Sequence, residues 1–284
     1  MVGRRRLRHH RAVHPRHTPP PQPTRRHTLL TLLGTLASAC GGGDDDGAGA
    51  APLAGTQHTS SIQSGINGTG YPLNVYLPDN PQADRSSLPV VYLLDGSSRF
   101  AAVVEIVRAR GWRVIVVGIG NEALRGRDYV PANSCTPGGG GHGAFLDVIR
   151  AELTPFVETQ FGGHPGRRIL LGHSHGGSFV LHALFAETGA TRHFRSYLAS
   201  DASIGCLSAD VYGWEAAHAA ATRALPVRLH VAWATAGNVA NEAFASHVAG
   251  RAYSGLTLAA QAYGATHLGM IPAAFADALA FALA

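Results

Sequence analysis

Arg168-Ile-Leu-Leu-Gly172-His173-Ser174-His175-Gly176-Gly177 runs from a short apolar stretch, through a Gly-x-Ser-x-Gly turn, into a helix-forming segment that extends to Glu187. Five residues of this pattern mean little alone. Between a strand and a helix they describe a sharp turn that lifts the serine hydroxyl above the carboxyl end of a sheet. Gly172, Gly176 and Gly177 leave the room such a turn needs. Ser174 is therefore the candidate nucleophile, and a serine in that role requires an imidazole to take its proton.

The flanking segments supply the rest of the sheet. Tyr71–Leu77 alternates with the two-residue period of a half-exposed strand, whereas Pro89–Asp95 is continuously apolar, as a buried parallel strand is. Phe100–Arg110 has helical spacing and Trp112–Ile119 is rich in Val and Ile, which completes a βαβ unit. Further strands are expected at Arg195–Ala199, Val227–Ala234 and Leu256–Ala262, with helices around 144–161, 212–222, 241–251 and 273–283. Pro155 is expected to kink the first of these. This alternation predicts an α/β fold with a mostly parallel central sheet and helices on both faces.

The remaining site residues follow from position. In this chain order the base belongs in a loop after the last strand, where His267 stands in Tyr263-Gly-Ala-Thr-His267. His173 and His175 could be imagined as a metal pair, but no third ligand is in sight, so no metal and no cofactor is expected. A tetrahedral oxyanion needs backbone donors after the nucleophile and after an early strand, which nominates the amides of His175 and Ser97. Arg125 and Arg127 lie in a long loop, 120–143, that could overhang the site. Arg127 is expected first as a structural partner of Asp128, with recognition of an anionic or catecholate substrate by Arg125 and Arg127 as the alternative.

The chain of 284 residues opens differently. Eight of its 23 basic residues, all arginines, precede Cys40, and no acid does. From Cys40 onward 15 arginines face 18 acids, a formal charge of −3, so the basic balance belongs to the leader and a nucleic-acid partner is not expected. Residues 1–40 resemble an export signal: Thr24-Arg-Arg-His-Thr-Leu-Leu30 is similar to a twin-arginine pattern, and Leu36-Ala-Ser-Ala-Cys40 to an imperfect lipobox with Cys40 lipidated. The apolar run before Cys40 is about 11 residues, short of the ~20 that span a bilayer. Any membrane attachment is thus expected through Cys40, in the periplasm or cell envelope. Residues 41–56 read as a flexible linker, and 57–284 as one catalytic domain. In an oxidising compartment Cys135 and Cys206 could pair, although spacing alone leaves this open.

Val91-Tyr-Leu-Leu-Asp-Gly96, Arg127-Asp-Tyr-Val-Pro131, the stretch from Phe145 to Gly177 and Gly264-Ala-Thr-His267 together resemble the Putative esterase family of α/β hydrolases. That family includes enterochelin and salmochelin esterases, S-formylglutathione hydrolases, feruloyl esterases and mycolyltransferases. The resemblance covers about Tyr71 to Ala284, and the siderophore-esterase branch is the most similar. It implies the α/β-hydrolase fold and metal-free hydrolysis of a small-molecule carboxylic ester through an acyl-enzyme, with Ser174 as nucleophile and His267 as base. The acid departs from the pattern. Relatives carry it just after the penultimate strand, where this chain reads Thr235-Ala-Gly-Asn-Val-Ala-Asn-Glu242. Glu242 is the expected acid, Asp201 the competitor, and a Ser–His dyad oriented by Asn238 a third possibility. A displaced acid also admits an envelope protein that binds a siderophore or acyl glycoside without turnover. Acyl transfer is a nearer variant of hydrolysis.

Overall fold

The computed structural model describes residues 52–79, 84–133, 135–189 and 192–284. The export leader, Cys40 and most of the expected linker lie outside the described residues. The described residues form eight strands: β1 (Gly55–Gln63), β2 (Gly70–Pro78), β3 (Val90–Leu93), β4 (Ile115–Ile119), β5 (Arg168–His173), β6 (Ser196–Ser200), β7 (Arg228–Ala234) and β8 (Thr257–Tyr263). They make one sheet in the order β1-β2-β4-β3-β5-β6-β7-β8. β1 and β2 pair antiparallel, as do β2 and β4, and every later pairing is parallel. This is the mostly parallel α/β sheet that the alternation of elements predicts.

Strand side chains divide the core between two faces. Leu73, Val75, Val90 and Tyr92 enter one apolar cluster, and their neighbours Tyr76, Val91 and Leu93 enter the other. The second cluster is covered by α1 (Gly96–Ala109) and α8 (Ile271–Leu283), which contribute Phe100, Val103, Val107, Phe275 and Leu279. Residues of α3 (His142–Val148), α4 (Thr154–Phe161), α5 (His175–Phe185), α6 (Ser208–Ala221) and α7 (Val239–Gly250) cover the first. Burial on both faces explains why β3, β4 and β5 read as continuous apolar runs.

Three local features differ from expectation. β1 is polar and almost wholly exposed, so no apolar period marks it; antiparallel pairing with β2 along its full length holds it in place. It begins at Gly55, inside the stretch read as linker, and Leu53 exchanges hydrogen bonds with Arg108. Just before Pro155, Ile149–Leu153 widens into a π turn that divides the expected single helix into α3 and α4. A π turn absorbs an unmatched backbone position while the helical path continues. The long loop contains the short helix α2 (Arg125–Asp128). Further along it, Cys135 forms a disulfide with Cys206, their Cα atoms 6.0 Å apart, within the usual span of such a bridge.

Burial strips water from several imidazoles and pushes them down: His173 and His182 to about 3, His230 to about 4, against 6.5 for an unburied ring. Between pH 6.5 and about 4 the unfolded chain binds protons at these three positions that the folded chain refuses. Stability is therefore full above pH 6.5 and drains away as the pH falls toward 4. Thermal melting across this range is expected to show a falling Tm, with a shallower slope in His230→Phe. A Tm independent of pH between 6.5 and 4.5 would contradict the buried neutral state.

Candidate active site

The site is assembled at the carboxyl ends of three adjacent parallel strands. β5 passes into α5 at Ser174, whose backbone has φ 61° and ψ −123°, a conformation that costs a non-glycine residue about 1–3 kcal/mol. The turn is tight enough that a Cβ on Gly172 would lie 2.4 Å from the carbonyl oxygen of Gly176. Such a contact forbids any other residue at 172. Ser174 N–H donates to the Ser200 carbonyl at 2.9 Å, tying the turn to the end of β6.

His267 lies between β8 and α8, and its Nδ1 is 2.5 Å from Oδ2 of Asp201. An ionised carboxylate has only acceptors, so Nδ1 carries the proton and Nε2 is left with a lone pair. Asp201 is 1% exposed and closes β6. Its other oxygen accepts from Ala234 N–H at 3.1 Å and from Asn238 Nδ2 at 2.8 Å. Three donors thus fix the carboxylate. Glu242, expected to orient His267, is exposed in the first turn of α7. The carboxylate at the imidazole is Asp201, because β6 ends beside β5 and the residue that follows it meets His267 Nδ1. Asn238 supports that carboxylate rather than the imidazole.

A cleft of about 260 Å³ is lined by Ser174, His267, Leu268 and His173, and on its other side by Asp95, Ser98, Arg99, Glu122 and Arg125. The His173 ring packs on His267 with centroids 4.3 Å apart, and its Nδ1 meets Ser200 Oγ at 3.1 Å. Desolvation first, then the neighbouring His267, Arg99 and Arg125, keep His173 uncharged. His175 is lowered by burial and then by Arg125, and its Nδ1 faces Ser203 Oγ at 3.0 Å. His173 and His175 therefore turn to different serines. Ser97 and His175 stand in the first turns of α1 and α5, where backbone amides have no partner inside the helix.

The two loop arginines part company. Arg125 faces the cleft and holds Asp95 through two bonds, Nε to Oδ1 at 3.1 Å and NH2 to Oδ2 at 3.3 Å. Arg127 turns away from the cleft: its Nε binds the fully buried Asp128 at 2.6 Å, and NH2 reaches Thr69 and Tyr71. That network anchors the loop to β2, the structural one of the two roles open to Arg127. Arg99, not singled out in the sequence, faces the cleft from α1, and its Nε is buried without a partner. Helical spacing from the strand-ending Asp95 was the available signal for it.

Residues 64–248, more than half of the chain, match the family model described as Putative esterase. The chain belongs to that family. It is 33% identical over 142 residues to the siderophore triacetylfusarinine C esterase of Aspergillus fumigatus, covering 44% of this chain and 48% of that protein. It is 31% identical over 159 residues to the ferri-bacillibactin esterase BesA of Bacillus subtilis, covering 47% and 54%. The chain spans about half the length of the curated relatives it matches. The crystal structure of the BES protein from Bacillus cereus superposes with a TM-score of 0.69 at 25% identity, covering 80% of this chain and 94% of the other. The α/β-hydrolase fold of the family is thus the fold of this chain.

The geometry separates two carboxylates by experiment. Asp201→Asn should slow fluorophosphonate labelling of Ser174 by about 10²-fold or more, because the imidazole loses its fixed tautomer. Glu242→Gln should label at the wild-type rate. Intact-mass time courses of the three proteins check this, and the reverse ranking would restore Glu242.

Proposed function

We propose that the protein is a serine carboxylic-ester hydrolase that works through an acyl-enzyme on Ser174. The observation that carries this reading is the strained turn at Ser174 sharing one cleft with an imidazole whose Nδ1 is fixed by Asp201. In the proposed reaction Ser174 Oγ attacks the ester carbonyl while His267 Nε2 takes its proton. The amides of Ser97 and His175 are the proposed donors to the oxyanion. His267 then passes the proton to the departing alcohol, and water repeats the sequence to free the acid. The relatives named as esterases support hydrolysis over transfer to another alcohol. Against a purely binding role, Asp201 beside His267 supports turnover.

The proposed substrates are siderophore-like or other small-acid esters. The relatives named for siderophore esters support this, and two guanidinium groups, Arg99 and Arg125, line the cleft wall among the carboxylates Asp95 and Glu122. Arg99 and Arg125 both line the cleft; Arg125 is engaged by Asp95, and among the described residues no ion pair holds Arg99. Guanidinium groups in this arrangement favour acidic phenolates or carboxylates on the acyl side. Export and attachment at Cys40 belong to the same proposal, since a secreted siderophore is met in the envelope.

Ser174→Ala is expected to abolish hydrolysis of short p-nitrophenyl esters, and equal rates in both proteins would overturn the proposal. Arg99→Gln should raise KM for a catecholate ester by roughly tenfold, the loss of one charge-assisted bond, and leave a neutral butyrate ester almost unchanged. Equal effects on both esters would remove the anionic substrate class. In a bacterial host, Cys40→Ala should move the protein from the membrane to the soluble fraction; unchanged fractionation would count against the anchor.

A further inference from the structure

Ser203, in the loop that follows Asp201, is held against the nucleophile's turn from two directions. Its N–H faces Ser178 Oγ at 3.0 Å and the Ser174 carbonyl at 3.3 Å. Three residues on, Cys206 ties the same loop to Cys135. The hydroxyl so placed lies 3.0 Å from His175 Nδ1 and 3.4 Å from Ser174 Oγ. Among the described residues, this is the hydrogen-bond contact of the nucleophile's oxygen.

We infer that Ser203 donates a hydrogen bond to Ser174 Oγ and speeds the step in which that oxygen leaves the acyl group, with His175 as the positioning residue that sets the direction of the Ser203 proton. The inference rests on the acyl-enzyme reading above. A hydroxyl has one proton to give. If His175 Nδ1–H donates to Ser203 Oγ, the Ser203 proton is free to point at Ser174, and the proton of Ser174 remains available to His267. The opposite polarity would draw the Ser174 proton toward Ser203 and away from its base. The 3.4 Å contact is long for a hydroxyl pair at rest, and such contacts tighten when charge builds on the acceptor.

Charge builds on Ser174 Oγ when the acyl-enzyme breaks down. Water adds to the acyl carbonyl as His267 takes its proton; the bond between the acyl carbon and Oγ then breaks, and His267 returns that proton to Oγ. Ser203 keeps its own proton throughout and only shares it. In acylation the same oxygen is the attacking atom, and a donor on it gives no comparable help. The help is therefore directed at deacylation.

The test follows acylation and deacylation separately with p-nitrophenyl acetate, using stopped flow for the first release of nitrophenolate and rapid quench with intact mass for the acyl-enzyme. Ser203→Ala is expected to slow deacylation roughly tenfold, as for loss of a bond to a charged oxygen, with acylation held within about twofold. Acyl-enzyme then accumulates. Ser203→Thr, which keeps the hydroxyl, should restore the wild-type split, and His175→Leu, which leaves the Ser203 backbone untouched, should slow deacylation in the same sense. Three results overturn the inference: unchanged deacylation in Ser203→Ala, equal loss in both steps, or faster acylation, which would mean the opposite polarity. If the wild-type protein forms no acetyl adduct at Ser174, the acyl-enzyme reading itself fails, and that outcome is distinct from the other three.

Discussion

The turn between β5 and α5 is the constraint on which the site depends. Ser174 occupies a backbone conformation that an isolated residue avoids, and the surrounding structure leaves it no other. Gly172 and Gly176 approach within the space a side chain would fill, α5 is buried along nearly its whole length, and Ser174 N–H is bonded to the end of the next strand. The same device recurs on either side. β3 leads to Asp95 at φ 54° and β6 to Asp201 at φ 43°, so three neighbouring strands each deliver a strained, polar, non-glycine residue to one edge of the sheet. A parallel sheet aligns these ends, and the cleft forms where they meet.

Electrostatics complete what the backbone begins. The buried Asp201 would be costly if left alone, but a backbone amide, Asn238 and the imidazole all donate to it, so its orientation is as fixed as that of the strand. His173 packs beneath His267 without adding charge, because burial and nearby arginines keep it neutral. Across the cleft, Arg125 is committed to Asp95 while Arg99 retains an unsatisfied donor. Two arginines and two acids, Asp95 and Glu122, thus share the wall that faces His267.

Much of this was legible in the residues. Continuous apolar runs at 89–95 and 168–172 and helical spacing from 100 to 110 reported buried strands and a covering helix, because burial on both faces leaves an apolar signature in the chain. β1 left none: it is stabilised by backbone pairing, and its side chains face solvent. The positions of Ser174 and His267 followed from chain order. The acid did not. Glu242 is nearer to where relatives place it, but a helix start points it outward, whereas Asp201 reaches His267 across 66 positions of sequence. Arg127 and Arg125, two residues apart and chemically alike, were likewise indistinguishable until one turned to Asp128 and the other to the cleft.

By itself the sequence determined the apolar strands, the covering helices and the turn at Ser174, since periodicity and glycine spacing act over a few residues and are written locally. The tertiary structure decided who meets whom: which carboxylate fixes His267, which loop arginine faces the cleft, and that Ser203 stands against Ser174. Those choices depend on strand order and on the directions of side chains brought together from distant segments, and no local pattern carries that information.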